Sequence, residues 1–251
     1  MRAENENVAQ LRPLPEKLNA DLRRFGMEAL YPFPRDIMRA SQRLNLRQRR
    51  LWFDLLRSNP NICGHSLTSM FGGSEGFWDP WREMNPGIGD VLRDGWAPLR
   101  WCLFAEPIHG YVGRPIRLEA VLANEDVLQP GSYPVTFRVW GETGIVWEKR
   151  IEARLPASGK GGLPPLAVPV LSENVCLDLP PGEYTFGASL ETGGAPAGDR
   201  MTFWLSDPAA LPRVNQPVTV WGIPERVCDW LVRQGVRPRA LTGSQAAPHE
   251  V

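Results

Sequence analysis

Ile116-Arg117-Leu118-Glu119-Ala120-Val121-Leu122-Ala123-Asn124 sets Ile116, Leu118, Ala120 and Leu122 at every second position. Successive side chains of a strand point to opposite faces, so this spacing predicts a strand with one side in a core. Val135, Phe137 and Val139, within Tyr133–Trp140, repeat the pattern. Working outward, Leu99–Phe104, Gly144–Leu155, Leu166–Leu171, Gly182–Glu191 and Met201–Leu205 read as further strands. Turn chemistry separates them at Gly113-Arg114-Pro115, Gln129-Pro130-Gly131, Gly141-Glu142-Thr143-Gly144, Pro180-Pro181-Gly182 and Gly193-Gly194. About seven short strands at this spacing predict an all-β immunoglobulin-like sandwich over residues 96–208.

The flanks have a different character, so the fold class is α+β in several parts. Residues 16–30 predict a helix that ends at the Tyr31-Pro32-Phe33-Pro34 break. Arg35–Arg57 predicts a long helix, with Ile37, Ala40, Leu44, Leu51 and Leu55 as one apolar stripe. Leu46 and Phe53 fall on another side, which predicts cover on more than one face. Asn59-Pro60 stops this helix. A strand is expected over Asn61–Thr68, followed by an aromatic, glycine-rich loop from Met70 to Gly95. Downstream, Val218–Trp221 predicts a strand, and Pro224 sits where a helix starts. Val227, Trp230 and Leu231 space as a short amphipathic helix ended by Gly235. Residues 213–251 thus read as the beginning of a C-terminal α/β unit. Both ends read as interrupted layers.

Composition narrows the function classes. The chain has 251 residues, 43% hydrophobic and 22% charged, with 28 basic and 28 acidic residues. A formal net charge of zero gives no global attraction for nucleic acid or an anionic membrane. Cys63, Cys102, Cys176 and Cys228 are dispersed, which suits a reducing compartment better than a disulfide framework. The first ten residues are polar and acidic, without the apolar core of a secretion signal. No run reaches the length of a membrane span. The expected location is cytoplasmic.

Several phrases resemble bacterial glycoside hydrolase family 2 proteins, the β-galactosidase and β-glucuronidase group. They are Ser41-Gln42-Arg43-Leu44 through Asn59-Pro60-Asn61, Gly73-Ser74-Glu75-Gly76-Phe77-Trp78, and Gly95-Trp96-Ala97-Pro98-Leu99-Arg100-Trp101. Ala123-Asn124-Glu125-Asp126-Val127-Leu128, with Pro130-Gly131 after it, is another. The resemblance implies a (β/α)8 barrel followed by a sandwich. Residues 1–95 would then be a partial barrel. Arg35–Arg57 would end its seventh unit, and Asn61–Thr68 would be its eighth strand. The family cleaves glycosidic bonds with two glutamates at ends of earlier barrel strands. On this mapping both precede Met1, so the expected catalytic set of this chain is empty and the chain alone is inactive.

Candidate contacts to a carbohydrate substrate of the intact enzyme are His65, Glu75, Trp78 and Trp81. Indole offers a flat, polarisable surface to the C–H face of a sugar ring. Packing the loop onto the barrel edge is the plainer role for the tryptophans, and a structural histidine the plainer role for His65. Asn124-Glu125 mimics the family's acid/base pair but reads better as turn acids. Gly72-Gly73-Ser74-Glu75-Gly76 matches a serine nucleophile elbow, yet no buried strand precedes it. The histidines (His65, His109, His249) are dispersed and no metal motif occurs, so no metal or cofactor is expected. Arg43, Arg47, Arg49 and Arg50 read as a solvated helix face rather than a nucleic-acid surface. Self-association through an exposed barrel edge is the expected partner contact. The alternative is a stand-alone, non-catalytic β-sandwich protein that binds carbohydrate or a protein partner.

Overall fold

The alternation around Ile116 becomes the centre of two facing sheets. The computed structural model describes residues 13–62, 64–66, 84–210 and 217–241. Eight strands build the sheets: β1 (Leu99–Glu106), β2 (His109–Tyr111), β3 (Pro115–Asn124), β4 (Gly131–Gly141), β5 (Gly144–Leu155), β6 (Ala167–Cys176), β7 (Gly182–Leu190) and β8 (Arg200–Ser206). One sheet has the order β1-β3-β6 and the other β2-β8-β7-β4-β5. The pairings β1–β3, β3–β6, β4–β5, β4–β7 and β7–β8 are all antiparallel. This is the immunoglobulin arrangement, strands A, B and E facing A′, G, F, C and C′.

The core follows from the period of two. Ile116, Leu118, Ala120 and Leu122 are fully buried, as are Val135, Phe137 and Val139 from the opposite sheet. Trp101 meets Phe137 edge-on at 5.6 Å, and Phe137 stacks on Phe186 at 6.0 Å. Each large apolar side chain taken fully out of water contributes about 1.5–3 kcal/mol. Tyr184, at the start of β7, donates its hydroxyl to the Pro180 carbonyl at 2.7 Å, the tyrosine corner of this fold. Tyr133, also placed after a Pro-Gly pair, bonds the Gln129 carbonyl at 2.9 Å.

A helical layer precedes the sandwich: α1 (Leu14–Arg24), α2 (Pro34–Arg57) and α3 (Ile88–Gly95). Pro34 takes the first helical position of α2, and Asp36 accepts the Phe33 N–H at 3.1 Å. On α2, Phe53 packs with Ile88, Val91 and Leu92 of α3, and Leu46 lies beside them. Arg100 of β1 donates to Asp54, and the pair is buried. Arg47 of α2 lies 5.3 Å from the ring of Trp204 on β8, so α2 touches both sheets. The two compact units are Met1–Leu205 and Ser206–Val251, which puts the helices in the same unit as the sandwich.

The second unit contains β9 (Pro217–Val220), α4 (Glu225–Arg233) and β10 (Arg237–Ala240). β9 and β10 pair in parallel, making one βαβ step. The β10 strand has no counterpart in the sequence reading. Among the described residues no helix is long and apolar enough to cross a membrane.

Four expectations need correction. The first helix ends at Arg24 rather than at 30, because Gly26 turns the chain with φ +64°. Cover on more than one face of α2 is not found: along the stripe Leu44, Leu51 and Leu55 are 55%, 37% and 54% exposed, and Ile37 and Ala40 are half-buried. The opposite face, with Leu46, Phe53 and Asp54, packs instead. At the described positions of Asn61–Thr68 (61, 62 and 64–66) there is no strand. Asn59 folds the chain back there, its side-chain oxygen accepting the Asn61 N–H at 3.0 Å and its carbonyl the Ile62 N–H at 3.1 Å. Residues 88–95, read as loop, are a helix whose Ile88, Val91 and Leu92 are buried. No barrel layer is built by the described residues of 1–95.

Candidate functional site

Where α2 ends, four distant segments enclose a crevice of about 330 Å³. Arg57, in the last turn of α2, organises it. The guanidinium donates to the carbonyls of Gly95 at 3.0 Å, the last residue of α3, and Ala97 at 3.1 Å, just past it. Its Nη2 also pairs with Glu125 Oε1 at 2.8 Å. A planar guanidinium with several donors suits such a junction, because one side chain satisfies carbonyls and a carboxylate together.

Glu125 is held by its neighbours. Asn124, fully buried, accepts the N–H groups of Val127 at 3.1 Å and Leu128 at 2.8 Å. Its amide donates to the Leu128 carbonyl at 3.0 Å. Asp126 adopts a left-handed φ of 58°, and the Glu125 N–H donates to Pro98 at 2.7 Å. The Asn-Glu pair is therefore a side-chain-pinned turn, and its carboxylate lies at the crevice rim.

The aromatic wall comes from Trp96 and His65. Phe53 meets both edge-on, at 5.6 Å and 5.1 Å, and the His65 ring lies at 23° to Trp96 with centroids 6.0 Å apart. His65 Nε2 is buried and has no hydrogen-bond partner among the described residues. Burial, and then the Arg57 cation, hold this imidazole below its ordinary pKa, which favours the neutral ring. Trp96 remains 43% exposed. Leu56, Ile62 and Leu166 supply apolar lining.

Of the residues expected from sequence, His65 lines the crevice, whereas Glu75, Trp78 and Trp81 lie outside the described residues. Arg57, Trp96 and Glu125 carry the site and were not among them. Each of the three does fall in a phrase that carries the family resemblance: Arg57 between Ser41 and Asn61, Trp96 after Gly95, and Glu125 after Asn124. Among the described residues no group of three or more His, Cys, Asp and Glu side chains is placed to hold a metal ion. Glu125 is the carboxylate among the described lining residues, and it is engaged with Arg57. Retaining glycoside cleavage needs two carboxyl groups about 5 Å apart. The crevice offers shape, an indole surface and hydrogen bonds; its described residues do not include that pair.

No family model matches the chain, and no curated protein matches it. Solved structures with similarity include alkylpurine DNA glycosylase AlkC of Pseudomonas fluorescens bound to DNA containing an abasic-site analogue. That match has TM-score 0.29 and 17% identity, over 43% of this chain and 30% of that one. The CARDB domain of the PF1109 protein from Pyrococcus furiosus, in complex with di-metal ions, gives TM-score 0.29 and 15% identity, over 43% and 86%. The β-glucuronidase of Parabacteroides merdae gives 0.28 and 14%, over 42% of this chain and 13% of the enzyme.

Proposed function

We propose that this chain is a non-catalytic portion of a glycoside hydrolase family 2-like protein, one that supports and contacts carbohydrate without cleaving it. The observation that carries the reading is the crevice, where the carboxylate among the described lining residues, Glu125, is already paired with Arg57. The immunoglobulin-type sandwich and the phrases around Trp96 and Asn124 support the link to the family. Purified chain is expected to release no nitrophenol from β-galactoside, β-glucuronide or β-mannoside substrates. Turnover that disappears in Glu125→Gln would overturn the reading.

One observation favours the second reading, a stand-alone sandwich protein. The face of α2 that carries Phe53, Asp54 and Arg57 is engaged with α3, β1 and the turn after β3. These contacts tie α2 to the sandwich of the same chain without any barrel strand. A chain that is monomeric and fully folded by itself supports this second reading.

A further inference from the structure

The Arg57–Glu125 crevice has a definite chemical character. Among its described lining residues one cation, Arg57, and one carboxylate, Glu125, pair at 2.8 Å, and burial favours the neutral ring of His65. These lining residues therefore present no net charge to an ionic ligand. Its unspent hydrogen-bonding groups are of both kinds. Glu125 uses Oε1 for Arg57, which leaves Oε2 to accept. Asn59 uses its side-chain oxygen for the Asn61 N–H, which leaves its amide to donate. Beside them is the exposed indole surface of Trp96. Both polar groups stand on fixed backbone: Glu125 in the turn pinned by Asn124, Asn59 in the turn that ends α2. A pre-set donor and acceptor reduce the ordering a ligand must impose.

We infer that this crevice binds one neutral, polyhydroxylated ring of monosaccharide size. Its C–H face lies on Trp96, and its hydroxyl groups bridge the Glu125 carboxylate and the Asn59 amide. A hydroxyl is donor and acceptor at once, so neighbouring hydroxyls match this pair where a carboxylate or an ammonium does not. The volume, about 330 Å³, lies at the lower end of the roughly 300–1,000 Å³ span of small-molecule sites, which suits a single ring. The inference rests on the non-catalytic reading, because it gives the crevice a holding role.

The test uses the full 251-residue chain. Methyl β-glucopyranoside, methyl β-galactopyranoside and glucuronate are titrated while the Trp indole N–H resonances are followed by NMR. A neutral glycoside is expected to move the Trp96 resonance saturably, with a dissociation constant of roughly millimolar order. Asn59→Ala and Glu125→Gln are each expected to weaken it about tenfold, while Trp96→Ala, which removes the reporting indole, assigns the resonance. Thermal melting confirms that each variant is folded. No saturable shift with either neutral glycoside overturns the inference. So does a shift unchanged in Asn59→Ala and Glu125→Gln, or a preference for glucuronate of more than about tenfold. Nitrophenyl glycosides run in parallel separate the two claims. Turnover lost in Glu125→Gln sinks the non-catalytic reading, whereas absence of both turnover and binding sinks this inference alone.

Discussion

Asp54 on α2 and Arg100 on β1, 46 residues apart in sequence, form a buried ion pair under the helical layer. Arg100 is 3% exposed and also donates to the Trp101 carbonyl at 3.2 Å and the Asp94 carbonyl at 3.4 Å. Burial raises the Asp54 carboxyl to about 7, against the pull of Arg100, and burial likewise pushes the nearby Cys102 thiol up to about 12. Between 3.8 and about 7, folded Asp54 therefore holds a proton that the unfolded chain has released. Its contribution to stability is complete below 3.8 and is lost as pH rises through about 7. The stability of the native chain minus that of Asp54→Asn is expected to fall across that window. A difference that rises with pH, measured by urea unfolding, contradicts the assignment.

Arg100→Met removes the guanidinium that donates to Asp54, and it should raise the carboxyl further. Breaking a buried pair from one side destabilises by about 3–5 kcal/mol. The loss is expected in full at about pH 8 and to shrink at about pH 5, where protonation removes the unpaired charge. Equal losses at both values would mean that Asp54 is not the group left behind.

Gly95 closes α3 against Phe53. A Cβ built on Gly95 would lie 2.4 Å from the Phe53 ring, closer than carbon atoms approach. Gly95→Ala is expected to destabilise by about 1–3 kcal/mol through overpacking. Phe53→Leu, which makes room, should recover part of that loss in the double variant. Additive losses in the double-variant cycle would argue against direct contact.

Asn124 satisfies three backbone groups of the turn after β3 from a fully buried position. Asn124→Ala leaves the Leu128 N–H and C=O without partners and should remove on the order of 3 kcal/mol. It should also free Glu125 from the rim, so sugar binding should weaken in the same variant. Unchanged unfolding midpoints would contradict this role.

Tyr184→Phe deletes the tyrosine-corner bond to Pro180 and is expected to lower stability by about 1 kcal/mol. Tyr133→Phe deletes a bond to Gln129 in more exposed surroundings and should lower it less. Chemical unfolding of both variants gives the comparison directly.

The strands were legible because alternation is a local property. Ile116, Leu118, Ala120 and Leu122 announce their face in the sequence and are all fully buried in the fold. Periodicity on a helix states which residues share a face, but not which face is covered. On α2 the richer stripe, Leu44, Leu51 and Leu55, stayed open. Asp54 and Arg57, on the other side, fix the orientation through Arg100, Glu125 and two carbonyls. The short helix α3 was hidden by Gly87, Gly89 and Gly95, which read as loop punctuation, although Ile88, Val91 and Leu92 keep helical spacing. The crevice was illegible for a different reason. Arg57, Trp96, Glu125 and Leu166 meet only after the sheets form, and no spacing along the chain links them.

Through Asp54, Arg57 and Phe53 the helical layer and the sandwich are expected to fold as one block. Backbone amide exchange followed by mass spectrometry reads that coupling. Residues 50–57 of α2 are expected to exchange as slowly as the central strands β3 and β7, and Arg100→Met to accelerate them. Rapid exchange across 50–57 in the native chain, with the sandwich strands still protected, would contradict it.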